Sequence, residues 1–194
     1  MLRPDKLEID RAMVLEIDLQ DKLLPFIRHR QDVLAQSRKL IDGAKVFGLP
    51  VLATEQYPHG LGTTDAGIRA GLDAAGATIM SKMTFSSLAE PAVRKAVDGL
   101  DRPQVIVLGI ETHVCVQQTV LDLRVLDYQV YVCADAVGSR AKIDYRQALR
   151  RMQQAGAFIT TVESVLFELC HRCDTPQFKA LLPVVKATPP SGME

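Results

Sequence analysis

The stretch PQVIVLGIETHVCVQQTVLDLRVL, from Pro103 to Leu126, changes periodicity half-way along. Gln104 to Gly109 is a short apolar run bounded by Pro103 and reads as a strand. From Val116 to Leu126 the spacing becomes helical, with Val116, Val120 and Leu123 on one face. A strand that feeds an amphipathic helix is half of a βαβ unit. The same alternation runs through the rest of the chain.

On the amino-terminal side, Ala12 to Ile17 (AMVLEI) reads as strand 1. Asp32 to Phe47 is helical in Val33, Leu34, Leu40, Ile41, Ala44 and Val46, and Gly48 ends it. Pro50 to Thr54 is strand 2, Asp65 to Ala75 a helix stopped by Gly76, and Ala77 to Ser81 strand 3. Glu90 to Asp98 is the helix before strand 4. On the carboxyl-terminal side, Gln129 to Ala134 is strand 5, Ile143 to Ala155 a helix, and Ala157 to Val162 strand 6. A helical tail follows to about Leu182. Strands separated by helices throughout predict a three-layer α/β/α sandwich on a six-stranded, mainly parallel sheet. The doubly wound order 3-2-1-4-5-6 places the ligand crevice beyond the carboxyl ends of strands 1 and 4, where the order reverses. One domain is expected over 1–187, with a mobile tail over 188–194.

Composition narrows the class. Lysine plus arginine equals aspartate plus glutamate, so the formal net charge is zero, which argues against nucleic-acid binding through an overall field. The basic run Arg28, His29, Arg30 reads as a solvated surface patch. No apolar run reaches the ~18 residues of a membrane span. The first residues, MLRPDKLEID, lack the apolar core of a signal peptide. A cytoplasmic protein with reduced thiols is expected. Cys170 and Cys173 form a lone C-x-x-C without the second pair that a zinc ribbon needs, and read as incidental helix cysteines.

Polar groups gather at the predicted strand ends: Asp18 after strand 1, Glu55 after strand 2, Lys82 after strand 3, Cys115 after strand 4 and Asp135 after strand 5. Cys115 stands out. With Thr112 as N-cap it would lie in the first turn of a helix, where dipole and free N–H groups lower a thiol pKa. Cys133, inside a strand, reads as a small core residue. A nucleophilic thiol needs a proton acceptor. His59 and His113 lie on the crevice loops, whereas His29 and His171 do not. Asp18 is the other candidate, one strand spacing (~4.8 Å) from strand 4. Lys82 would supply positive charge to both. In this order, however, strand 3 lies ~10 Å from strand 1, so Lys82 has to reach across strand 2 or the chain after Ser81 has to curl inward.

These residues resemble the isochorismatase-like cysteine hydrolase superfamily over roughly Ala12 to Lys186. Three motifs carry the likeness: Asp18-Leu19-Gln20, Lys82, and the G-x-x-T-x-x-C-V segment from Gly109 to Val116. The TEQYP-x-GLG segment, Thr54 to Gly62, is most similar to the small isochorismatase-domain subgroup. The resemblance implies Asp18 as base, Lys82 as its partner and Cys115 as nucleophile. It also implies a cis peptide between Ile110 and Glu111. This turns the Glu111 N–H towards the reacting oxygen, where with the Cys115 N–H it forms an oxyanion hole. Gln20, Glu55, Ile110 and His113 are the expected substrate-contacting residues, with Glu55 facing a substrate amine or pairing with Lys82. The D-x-H metal motif of nicotinamidases is replaced by Thr54-Glu55-Gln56, so no metal and no cofactor is expected. The implied function is hydrolysis of a small carboxamide-like molecule by a homo-oligomer. The alternatives are an isochorismatase-type vinyl-ether hydrolase and a non-catalytic scaffold.

Overall fold

The computed structural model describes residues 6–187. Its centre is a six-stranded sheet of β1 (Ala12–Ile17), β2 (Val51–Gln56), β3 (Thr78–Lys82), β4 (Gln104–Ile110), β5 (Gln129–Gly138) and β6 (Phe158–Thr160). The order is β3-β2-β1-β4-β5-β6, and every pairing of neighbours is parallel. Both the fold class and the strand order are as the sequence predicts. The expected tail over 188–194 lies outside the described residues.

Eight helices connect and cover the strands: α1 (Arg30–Phe47), α2 (Pro58–Leu61), α3 (Ala66–Ala74), α4 (Pro91–Gly99), α5 (Gln117–Val125), α6 (Lys142–Gln154), α7 (Val162–Cys170) and α8 (Pro176–Ala187). The period of two along each strand divides the core. Ala12, Val14, Val51, Ala53, Ile106, Leu108 and Tyr131 face one layer, which includes Val33 and Leu40 of α1, Leu72 of α3 and Leu166 of α7. Met13, Leu15, Ile17, Leu52, Val105, Val107 and Val130 face the other, with Val97 of α4, Val120 of α5 and Met152 of α6. β1 and β4 are buried along their whole length, which is why they read as apolar runs broken only by Glu16 in β1 and Gln104 at the start of β4.

The departures from expectation are local. β5 continues past Ala134 to Gly138, and its pairing with β4 slips between Val107 and Gly109. Asp135 therefore lies within β5, and its carboxylate accepts the Val162 N–H at 2.9 Å instead of joining the crevice. The helical tail is two helices. Cys170 ends α7 and is buried, whereas Cys173 is exposed in the turn before α8, so only the first is a helix cysteine.

Gly109 sets the closeness of the two central strands. Its φ is +122°, and a Cβ built there would sit 2.0 Å from the Ile17 carbonyl oxygen. Backbone cannot move aside as a side-chain tip can. We expect Gly109→Ala to lower stability by more than about 2 kcal/mol in urea unfolding. A midpoint within error of the parent would contradict the close approach.

Candidate active site

β1 ends at Ile17, and the chain turns at once. Asp18 takes a left-handed backbone conformation (φ +57°), while its N–H still donates to the Thr54 carbonyl of β2 at 3.1 Å. Aspartate tolerates this region better than most residues. The turn places its carboxylate over the end of β2. Thr54 Oγ1 donates to Asp18 Oδ1 at 2.7 Å, and Lys82 Nζ donates to Asp18 Oδ2 at 2.7 Å. Neither side chain of this ion pair is exposed.

The width of one strand thus separates Lys82 from Asp18, and the lysine stem spans it. Lys82 pairs with Gln56 across the β2–β3 ladder. Its ammonium also donates to Gln56 Oε1 at 2.7 Å and to the carbonyls of Thr84 and Phe85 at 3.2 Å each. These acceptors fix the head of a flexible side chain in one place.

Cys115 reaches the same point from β4. The Ile110–Glu111 peptide is cis. Thr112–Val116 then forms a π-helical turn before α5 starts at Gln117. Cys115 therefore does not occupy the first turn of an α-helix. Thr112 is not a cap either, since its buried hydroxyl has no partner. The thiol is buried and close enough to Asp18 and Lys82 to feel the charge of both. The expected lowering of its pKa is reversed. Burial, and then the charge of Asp18, push it up to about 12, against the opposing pull of Lys82. At rest the sulfur is a neutral thiol that can donate to the carboxylate. Burial also raises the Asp18 carboxyl above the usual aspartate range, and Lys82 and Thr54 oppose that rise.

The other candidates hold the scaffold. Glu55 Oε1 accepts from both N–H and Oγ1 of Thr64 at 2.8 Å, so it pairs with a loop instead of with Lys82. Gln20 is fully buried. Its amide donates to the carbonyls of Gln56 and Gly62, and its carbonyl accepts the Gln56 N–H. Ile110 is buried in the apolar core. His113 Nδ1 shares a 3.0 Å hydrogen bond with Ser139 Oγ. The Glu111 carboxylate accepts a bidentate pair from Arg140, whose backbone N–H also donates to it. Among the described residues no group of three or more histidine, cysteine, aspartate or glutamate side chains could hold a metal ion.

Three partners were not singled out from the sequence. Thr54 and Gln56 lie two apart at the end of β2, hence on one face beside Asp18 and Lys82. That spacing was the available signal. Glu16, a lone carboxylate in the buried run AMVLEI, was the other visible one.

Comparison with known proteins places the chain. The isochorismatase domain model matches residues 12–164. The chain belongs to the isochorismatase family. Isochorismatase domain-containing protein 2A of Mus musculus is 39% identical over 186 residues, covering 95% of this chain and 87% of that protein. Isochorismatase domain-containing protein 1 of Salmo salar is 37% identical over 176 residues, and the match spans 90% of this chain but 61% of the relative. Among solved structures, one described as the MAR1 ribonuclease of Caenorhabditis elegans superposes with a TM-score of 0.90 at 34% identity, covering 98% of this chain and 97% of that one. YcaC of Pseudomonas aeruginosa, solved with covalent acrylamide, gives 0.88 at 26%, covering 95% and 93%. YcaC of Escherichia coli, an octameric hydrolase of unknown specificity, gives 0.86 at 26%, covering 96% of each chain. The family is one of hydrolases, and this chain has its fold.

Glu16 yields a prediction about stability. Its carboxyl is fully buried, its Oε2 has no partner, and burial raises its pKa from 4.5 to about 8. An acid with a raised folded-state pKa contributes stability that is full below its unfolded value. That contribution is lost as pH rises through the folded one. Stability should therefore fall between about pH 5 and 8, with up to ~1.4 kcal/mol per pH unit due to this proton. Glu16→Gln should flatten the curve in urea titrations across that window. Parallel slopes in parent and variant would assign the proton elsewhere.

Proposed function

We propose that this protein is a cysteine-dependent hydrolase that cleaves the C–N bond of a small carboxamide-like substrate through a covalent acyl-enzyme. The observation that carries this reading is the buried Asp18–Lys82 pair with the Cys115 thiol beside it. A thiol held neutral needs a base at the moment of attack, and a carboxyl raised by burial accepts a proton more readily than an exposed aspartate.

The steps follow from these positions. Cys115 sulfur bonds to the substrate carbonyl carbon while its proton passes to Asp18. The carbonyl π electrons move to oxygen, and the backbone N–H groups of Glu111 and Cys115 receive that oxyanion. The intermediate collapses, the C–N bond breaks, and Asp18 returns the proton to the leaving nitrogen. Water then attacks the thioester, giving its proton to Asp18. The carboxylic acid leaves, and sulfur recovers the proton. Lys82 holds the carboxylate throughout and limits the rise of its pKa. Acrylamide is both a carboxamide and an electrophile, and its covalent presence in the Pseudomonas neighbour supports a nucleophile that accepts such molecules. The Escherichia octamer supports a homo-oligomer.

Cys115→Ala should reduce ammonia release from a panel of small amides at least ~10³-fold, and acyl-enzyme should appear by mass spectrometry only in the parent. Retention of full turnover by Cys115→Ala would overturn the mechanism. It would support a second reading, vinyl-ether hydrolysis with Asp18 as general acid, which the raised Asp18 carboxyl favours. RNA belongs in the same assay, because the nematode neighbour is described as a ribonuclease. Cleavage of RNA with none of the amides would sink the carboxamide proposal, and inertness towards all would favour a scaffold.

The pH profile is a separate test. Asp18 must be ionised to take the proton, so kcat/KM should rise with pH through its elevated pKa and level off above it. Lys82→Gln removes a charge that lowers that pKa. The acid limb should move to higher pH and the plateau should fall. A limb that stays in place would separate Lys82 from Asp18.

A further inference from the structure

The basic run before α1 does more than meet solvent. It borders a cavity of about 350 Å³ between that segment, the carboxyl end of β5 and the first turn of α6. Val137, Gly138 and Tyr145 give it a mainly apolar lining. The Tyr145 hydroxyl donates to the Ala134 carbonyl at 2.7 Å, which holds its ring as a wall.

Arg28, Lys142 and Arg146 also line the cavity, and all three are exposed. No carboxylate belongs to its lining. Among the described residues none pairs with Arg28 or Arg146. Two acids have histidine neighbours: Asp32 lies 3.9 Å from His29, which also lines the cavity, and Asp144 lies 3.9 Å from His113, which does not. The chain as a whole is neutral, so this excess of positive charge is local. The amino-terminal end of α6, which has no side-chain cap at Ala141, presents a positive dipole end that Asp144 in the same turn partly offsets.

An apolar wall alone would suit a neutral solute, and exposed cations alone would be satisfied by water and counter-ions. Together they fit an anion carried on an apolar body. We propose that this cavity binds a small organic acid, a carboxylate or phosphate monoester, with its apolar part against Val137 and Tyr145 and its charge at Arg28, Lys142 and Arg146. The lining does not include Asp18, Lys82 or Cys115, so the site is separate from the buried trio. Its Ser139 is joined to the Cys115 turn by the hydrogen bond with His113, and its wall residue Val137 packs in the same apolar cluster as Cys115.

The test is a titration of the full chain with benzoate, phenyl phosphate and benzyl alcohol, followed by backbone amide shifts. Saturable shifts at Gly138, Ser139 and Tyr145 are expected with the anions, and at least tenfold weaker binding of the neutral alcohol. Saturation by only one anion supports the site and identifies its source as carboxylate or phosphate. Arg28→Gln and Arg146→Gln should each weaken anion binding about tenfold. Both positions are exposed, and unchanged unfolding midpoints would exclude a folding defect in the variants. Shifts that do not saturate, equal binding of benzyl alcohol, or unchanged affinity in both variants would overturn the proposal.

Discussion

A lysine and an aspartate with no exposure to water are held together by one 2.7 Å contact. Burying either charge alone would cost several kcal/mol, and even the pair recovers that cost only when its remaining donors and acceptors are satisfied. The surroundings meet that demand. Thr54 takes the second carboxylate oxygen, and Gln56 with two backbone carbonyls takes the rest of the ammonium. Gln56 is in turn fixed by Gln20 and by the Met83 carbonyl. The ends of β1, β2 and β3 are thus joined by one polar network over an apolar sheet.

The fourth element, β4, adds the sulfur, and here the backbone is the instrument. Gly109 lets β4 lie against Ile17 where a side chain would collide. The π-helical turn then returns Cys115 to the mouth of the crevice instead of carrying it away along α5. The thiol gains no help from an α-helix start. Its protonation is set by burial and by the carboxylate beside it.

Most of the architecture was legible in the residues. Apolar runs alternating with helical periodicity give the strand order. The switch point between β1 and β4 brings Asp18 and Cys115 to one edge. Lys82 reaches Asp18 across β2, as the strand order requires, because its four-carbon stem spans one strand. The direction of the Cys115 shift was hidden because it depends on one residue more of turn and on solvent access. The pairing of Glu55 with Lys82 was not realised for a similar reason: a carboxylate at a strand end points wherever donors are, and Thr64, nine residues on, supplies two. Asp135 fell outside the site because β5 runs four residues past Ala134, a length fixed by the shifted pairing with β4.

Asp18 and Lys82 stand at the strand ends themselves, and Cys115 stands in the turn that β4 opens, whereas the segments over them, residues 19–29, 57–65 and 83–90, are connections. Floor and roof are joined at a few points, where the Thr84 and Phe85 carbonyls hold the Lys82 ammonium and Gln20 holds Gln56. A change in the other residues of these segments would reshape the space above Asp18, Lys82 and Cys115 without moving a strand.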